Sequence, residues 1–248
     1  MRTVVRALAL VVAGAFCVSE ASAQTVEDVV ARHLKARGAD KWRQIQTMKV
    51  TAVLTREGAL PTHLTTISKR PNLVRQEAAE NGKLVFVQAY DGTVAWGITP
   101  RSPDPQEMQG PAAKTLADQA DFDTVLMDYK AKGHTVELLG KEKLGDRDVH
   151  HLKVTRKNGV VQHYYIDAET WLEARITTNV GPAGKELTFV SEPSQFRDVD
   201  GVMMPFHIRQ GISGNGMPQV EISIEKIEFD VPVNDSVFRM PKKSSPAR

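Results

Sequence analysis

The chain has 248 residues, with 32 basic and 30 acidic side chains and a single cysteine, Cys17. So even a charge balance excludes the strongly basic face on which nucleic-acid binding usually rests, and one cysteine excludes an internal disulfide framework. The length allows one domain or two and buries an adequate core without a staple.

Arg2 and Arg6 form a basic head, Ala7 to Val18 an apolar run, and Ala21-Ser22-Ala23 a small-residue exit before Gln24. That order is the pattern of a secretory signal peptide, and the run falls short of the roughly 20 residues a bilayer span needs. Cys17 belongs to the discarded segment, since the bulky Phe16 before it does not suit lipid attachment. Removing residues 1–23, with Arg2, Arg6 and Glu20, leaves 225 residues, 30 of them basic and 29 acidic. The expected product is a soluble periplasmic protein without thiols.

The exported part opens on a helix. Thr25 is the expected N-cap, Glu27 and Asp28 place negative charge in the first turn, and Gly38 closes the element. Its apolar stripe, Val26, Val29, Val30 and Leu34, requires a packing partner. Strands follow. Met48, Val50, Ala52 and Leu54 alternate with polar residues, and similar stretches run over Thr62–Lys69, Leu73–Ala78, Lys83–Ala89 and Thr93–Ile98, separated by turn signals such as Asn81-Gly82 and Asp91-Gly92.

Pro100 to Pro111 reads as a loop. Leu116, Ala117 and Ala120, then Phe122, Val125, Leu126 and Tyr129, predict a helical region stopped by Gly133. Asp118, Asp121, Asp123 and Asp128 on it read as a solvated face. Asn158-Gly159 predicts a two-residue hairpin in which Leu152 opposes Tyr165 and Val154 opposes His163. Tyr165 is then a core residue, with Tyr164 and Trp171 candidates for an interface. Asp167–Thr170 makes the next turn. Val202, Met204, Phe206 and Ile208 share a face, as do Val220, Ile222 and Ile224, and a phase slip before Ile227 and Phe229 predicts a β-bulge. Gly211–Gly216 lies between strands and reads as a hairpin loop.

These elements predict a mainly β (α+β) fold of about eleven strands. A large antiparallel sheet with one apolar face must cover that face or curl around it. A strongly curved half-barrel with helices across its mouth follows, with residues 24–241 as one domain and 242–248 as a flexible tail. No nucleophile elbow, zinc-protease helix, phosphate loop or paired-cysteine site is present in the sequence. His150 and His163 would lie about 13 Å apart along the hairpin, too far to share a metal.

Several phrases carry a family resemblance: Tyr90–Trp96, Asp121–Asp123 with Asp128–His134, Tyr164–Thr170, Phe196–Pro205 and Val231–Pro241. On these the chain resembles the bacterial outer-membrane lipoprotein-sorting proteins, the LolA-like group, over nearly the whole exported part. The resemblance implies an unclosed antiparallel barrel lidded by helices, a hydrophobic cavity that takes acyl chains, and carriage of an acylated lipoprotein or lipid. It implies no enzyme activity and no cofactor. The partners it implies are an inner-membrane transporter and an outer-membrane acceptor, served by a monomer.

The inward strand residues expected to hold the acyl chain are Leu152, Val154, Tyr165, Val202, Met204, Phe206, Ile208, Val220, Ile222 and Ile224. The alternative is a periplasmic sensor or adaptor that uses the same fold for protein contact. A hydrolase built on His163 and Asp167 lacks a nucleophile beside them.

Overall fold

The computed structural model describes residues 24–180, 187–213 and 219–242. The expected signal peptide, residues 243–248 of the tail and residues 214–216 of the Gly-rich run lie outside them.

Helix α1 (Val26–Arg37) has a reciprocal cap: Thr25 Oγ1 accepts from the Asp28 amide at 3.1 Å, and the Asp28 carboxylate accepts from the Thr25 amide at 3.2 Å. Gly38, at φ +77°, ends it and opens the short α2 (Ala39–Trp42). The first strands are β1 (Thr47–Arg56), β2 (Thr62–Lys69), β3 (Leu73–Glu80), β4 (Lys83–Tyr90), β5 (Ala95–Thr99) and β6 (Ser102–Glu107). Helix α3 (Gly110–Gln119) precedes β7 (Thr135–Leu144), β8 (Arg147–Thr155), β9 (Val161–Asp167) and β10 (Glu173–Asn179). The chain finishes with β11 (Thr188–Ser194), β12 (Arg197–Val199), β13 (Val202–Met204), β14 (His207–Ser213) and β15 (Val220–Phe229).

All but β12 and β13 join one antiparallel sheet of 13 strands, in the order β6-β5-β4-β3-β2-β1-β15-β14-β11-β10-β9-β8-β7. It is unclosed, with β6 and β7 as its edges. Residues 108–134 connect those two edges and so form a strap across one face, here called the inner face. The strap shares that face with α1 and α2, burying Val29, Val30, Trp42, Ile45, Leu116 and Leu126 against the sheet. The C-terminal segment crosses the outer face instead. Its Val231 carbonyl accepts from Thr47, its Val237 carbonyl from Arg75, and its Phe238 carbonyl from Trp96 Nε1 at 2.7 Å. Among the described residues no helix is long and apolar enough to cross a membrane.

The mainly β class, the unclosed sheet and its covering helices match the expectation, but the strand count exceeds it. The Pro100–Pro111 stretch contains β6, because an edge strand has one side that needs no amide donors and so tolerates Pro103 and Pro105. The expected strand through Val202–Ile208 breaks at Pro205 into β13 and β14.

The second helical region ends at Gln119. Residues 125–133 form successive turns, with Asp128 at φ +51°, a conformation that a helix interior cannot hold. The apolar spacing there serves two clusters at once: Phe122 and Met127 pack with Trp42, while Leu126, Val125 and Tyr129 pack with α1 and β8. The four aspartates, expected as a solvated face, stay partly exposed but are each paired. Asp118 meets Arg156, Asp121 meets Lys132, Asp123 meets Arg70, and Asp128 meets Arg43 through both guanidinium nitrogens. Asp118 and Asp123 tie the strap to residues at the ends of β8 and β2, Asp128 ties it to the turn after α2, and Asp121 braces the strap internally. The bulge expected before Ile227 is present, since Thr51 pairs with Lys226 and Ala52 with Ile224, leaving Glu225 unopposed.

Candidate functional site

The β8–β9 hairpin closes one residue out of the expected register. Leu152 opposes Tyr164, Val154 opposes Gln162 and Lys153 opposes His163. An Asn-Gly pair closes a two-residue loop only when the strands pair directly beside it. Here Arg156 and Val160 bond outside the turn and one extra residue enters the loop, and a one-residue slip exchanges the faces of every side chain on β9.

Tyr164 therefore points inward and is buried beside Leu152 and Val154. Tyr165, expected inside, lies on the outer face and stacks on His151 at 4.4 Å. His163 lies there too, with its Nδ1 2.7 Å from His151 Nε2, while His150 stacks inward on Trp171. Asp167 is not available to His163: its Oδ1 accepts from the Glu169 amide and from the amide and hydroxyl of Thr170, which builds the turn. Those bonds outweigh the burial that would raise its carboxyl, and its pKa is lowered.

The other nominated residues fall into two groups. Leu152, Val154, Val202 and Met204 are fully packed in the core, and Phe206 and Ile224 lean on the same core from its margin. Ile208, Val220 and Ile222 stand outside every packed cluster and are half-buried on the inner face. Cross-strand register gives them company. Leu54 opposes Ile222, which opposes Ile208, and Leu64 opposes both Ala52 and Ala78, the latter facing Phe86. Farther along, Ile212 opposes Phe189.

Leu54, Leu64, Phe86, Phe189 and Ile212 are likewise half-buried and belong to no packed cluster. The result is a stretch of half-buried apolar side chains across β4 to β11, outside the clusters that α1, α2 and the strap pack, here called the trough. Only the alternation of β1 pointed to Leu54 in the sequence. Phe86 and Phe189 sit in short, mixed stretches whose phase depends on pairings between distant strands.

Beside the trough, under the strap, the inner face turns polar. Glu173, nine-tenths buried, places Oε1 3.6 Å from His33 Nε2 and 3.7 Å from Arg37 Nε. His33 Nδ1 donates to the Trp171 carbonyl at 2.9 Å, which turns Nε2 toward the carboxylate. Burial raises the Glu173 pKa, but Arg37 and His33 outweigh it, and the carboxyl is held below its ordinary value. A second cleft, of about 400 Å³, separates α1 from residues 126–131 and is lined by Val30, Leu34, Leu126 and Tyr129.

No protein-family model and no curated protein matches the sequence. Solved structures do match. A LolA superfamily protein, NE2245 from Nitrosomonas europaea, superposes with a TM-score of 0.61 over 88% of this chain and 98% of its own, at 14% identity. A DUF1329 family protein from Desulfovibrio piger gives 0.60 over 85% and 97%, at 18% identity. This chain has the LolA-like fold. A domain assigned to outer membrane lipoprotein sorting in Vibrio parahaemolyticus gives 0.55 over 82% and 95%, at 10% identity. In this LolA-like sheet the inner face divides into a packed end under the helices and the trough.

Proposed function

We propose that this chain is an exported periplasmic carrier, not an enzyme, that holds the acyl chain of a lipoprotein or lipid in the trough. The observation that carries the reading is the cross-strand set of Leu54, Leu64, Phe86, Ile208 and Ile222. These are large apolar side chains on the face that the fold normally packs, yet they lie outside the clusters that helices and strap pack. Soluble proteins rarely expose contiguous apolar surface without a use for it. Each methylene an acyl chain buries there contributes about 0.8 kcal/mol, so affinity needs no covalent chemistry. Residues 24–241 act as one domain, after removal of residues 1–23, and the lipoprotein-sorting assignment of one structural neighbour agrees with this use.

Native mass spectrometry of the protein from a periplasmic extract made without detergent tests the reading. Co-purifying acylated peptide or lipid is the expected result. Ile208→Asp, at the trough's centre, should lose uptake of a fluorescent fatty acid while its circular dichroism stays unchanged. An empty wild-type protein that also fails to take up the fatty acid would refute the carrier.

A further inference from the structure

The sequence carries three Asn-Gly pairs: Asn81-Gly82, Asn158-Gly159 and Asn215-Gly216, the last outside the described residues. An asparagine before glycine is open to a reaction that needs no enzyme. The glycine backbone nitrogen, with no Cβ beside it to obstruct the approach, gives up its proton and attacks the asparagine Cγ. A C–N bond forms, the Cγ–Nδ2 bond breaks, and Nδ2 leaves with the proton as ammonia. Water then opens the five-membered imide at either carbonyl, leaving an aspartyl or an isoaspartyl linkage. Sequence alone rates the two described pairs alike.

The structure separates them. Both tips are exposed, and a Cβ on either glycine would meet nothing within 4 Å, so water reaches both. At Asn158 every reacting group is held. Its Nδ2 donates to Asp118 Oδ2 at 3.1 Å, its Oδ1 accepts from the Val160 amide at 3.2 Å, and the Gly159 amide donates to the Arg156 carbonyl at 2.8 Å. Attack requires all three bonds to break, and the Asp118 carboxylate repels the amide anion through which the reaction passes. Of the cations at this tip, Arg156 is already paired with Asp118, which leaves Lys157.

At Asn81 those bonds are missing. Neither its side-chain amide nor the Gly82 amide has a hydrogen-bond partner among the described residues. Asn81 and Gly82 stand at φ +50° and +73°, the two left-handed positions of a two-residue hairpin turn. Closing the imide twists this backbone. Beyond the register shift at Ala78/Ala79 only the pairs Ala79–Leu84 and Glu80–Lys83 hold the tip, so it yields readily. Asn81 also shares a cleft of about 730 Å³ with Lys83 and Arg101, neither of which has an ion-pair partner among the described residues. The carboxylate lining that cleft is Glu80, whose Oε1 accepts from the Thr62 hydroxyl at 2.8 Å. Two cations against one carboxylate favour both the amide anion and the acid that follows.

We propose that Asn81 is a site of spontaneous deamidation in the native protein, and that Asn158, in the same dipeptide, is protected by the fold. The inference is independent of the carrier reading. Its product adds one negative charge, and in the isoaspartyl form one backbone methylene, to the hairpin tip that leads into Phe86 of the trough.

Peptide mapping by mass spectrometry, during incubation of the folded protein at mildly alkaline pH, reads each site separately. Enzymatic methylation of isoaspartyl groups is a second readout. With three hydrogen bonds to break at Asn158 and none at Asn81, Asn81 should convert at least about tenfold faster. In urea, where the fold is lost, the two rates should converge. Asp118→Ala should speed conversion of Asn158 several-fold and leave Asn81 unchanged, and Asn81→Gln should abolish the early product. Equal rates in the folded protein, or a faster Asn158, would overturn the proposal. So would two sites that stay intact when folded yet convert in urea, or a difference that persists in urea and so belongs to the neighbouring sequence.

Discussion

At the scale of single residues, the most exacting position is Gly38. A Cβ there would lie 2.1 Å from the Gly201 carbonyl oxygen, and the residue also holds φ +77°. Gly38→Ala should therefore cost more than the roughly 1–2 kcal/mol of the left-handed conformation alone, read as a fall in the denaturant midpoint. Gly201→Ala, with only the Lys41 side chain nearby at 3.6 Å, should cost about 1 kcal/mol on the same backbone ground. Glu173 makes a second residue-scale prediction. Glu173→Gln leaves Arg37 without its buried counter-charge and should destabilise by about 3 kcal/mol at neutral pH. Because the folded pKa of Glu173 lies below the unfolded one, its contribution is present above the ordinary carboxyl range and disappears as pH falls through the depressed value. The gap between wild type and variant should close only in acid.

Among secondary elements, the strap is held by polar tethers as much as by apolar packing. Asp123 accepts from Arg70 at 2.7 Å and from Trp42 Nε1 at 3.2 Å, and the Phe122 amide donates to the Pro71 carbonyl. Burial works against the Asp123 carboxylate but Arg70, Lys132 and Trp42 outweigh it, and Arg43 holds the Asp128 pKa down. Both tethers hold above the ordinary aspartate pKa of about 3.8 and fail only as pH drops through lower values. Binding of a hydrophobic dye should rise below about pH 4 as the strap loosens, and Asp123→Ala should move that rise to higher pH.

The same element shows where sequence reading ran out. Strands with regular alternation, such as Thr62–Lys69, were legible to the residue, and so was the bulge, since a phase slip is local. The strap was not, because its apolar residues divide among three clusters that meet only in three dimensions. The trough was half legible for a related reason. Ile208, Val220 and Ile222 follow from their own alternation, but the β8–β9 register depended on a single extra loop residue, and that residue decided which tyrosine faces inward.

Over the whole molecule, the two faces are covered by different parts of the chain, the inner one only at its packed end. The C-terminal segment seals the outer face over Trp96, whose indole is fully buried with Phe238. Phe238→Ala should cost about 3–5 kcal/mol and shift tryptophan emission to the red. The β6 edge is guarded as well: Pro103 offers no amide to a second sheet. Pro103→Thr should increase concentration-dependent association in sedimentation velocity.

The seam at the middle of the sheet has a consequence for how the chain becomes a protein. β1 pairs on one side with β15, so that Met48 meets Phe229, the first strand to be made against the last. Loop closure over that span costs entropy before any contact repays it. The six strands on one flank can zip as local hairpins, and so can those on the other, but the halves remain separate sheets until the final strand arrives. During that interval β1 presents a bare edge and an uncovered apolar face. A chain that emerges N-terminus first is therefore exposed to aggregation until its last strand docks, and a holding chaperone would act on that half-built sheet.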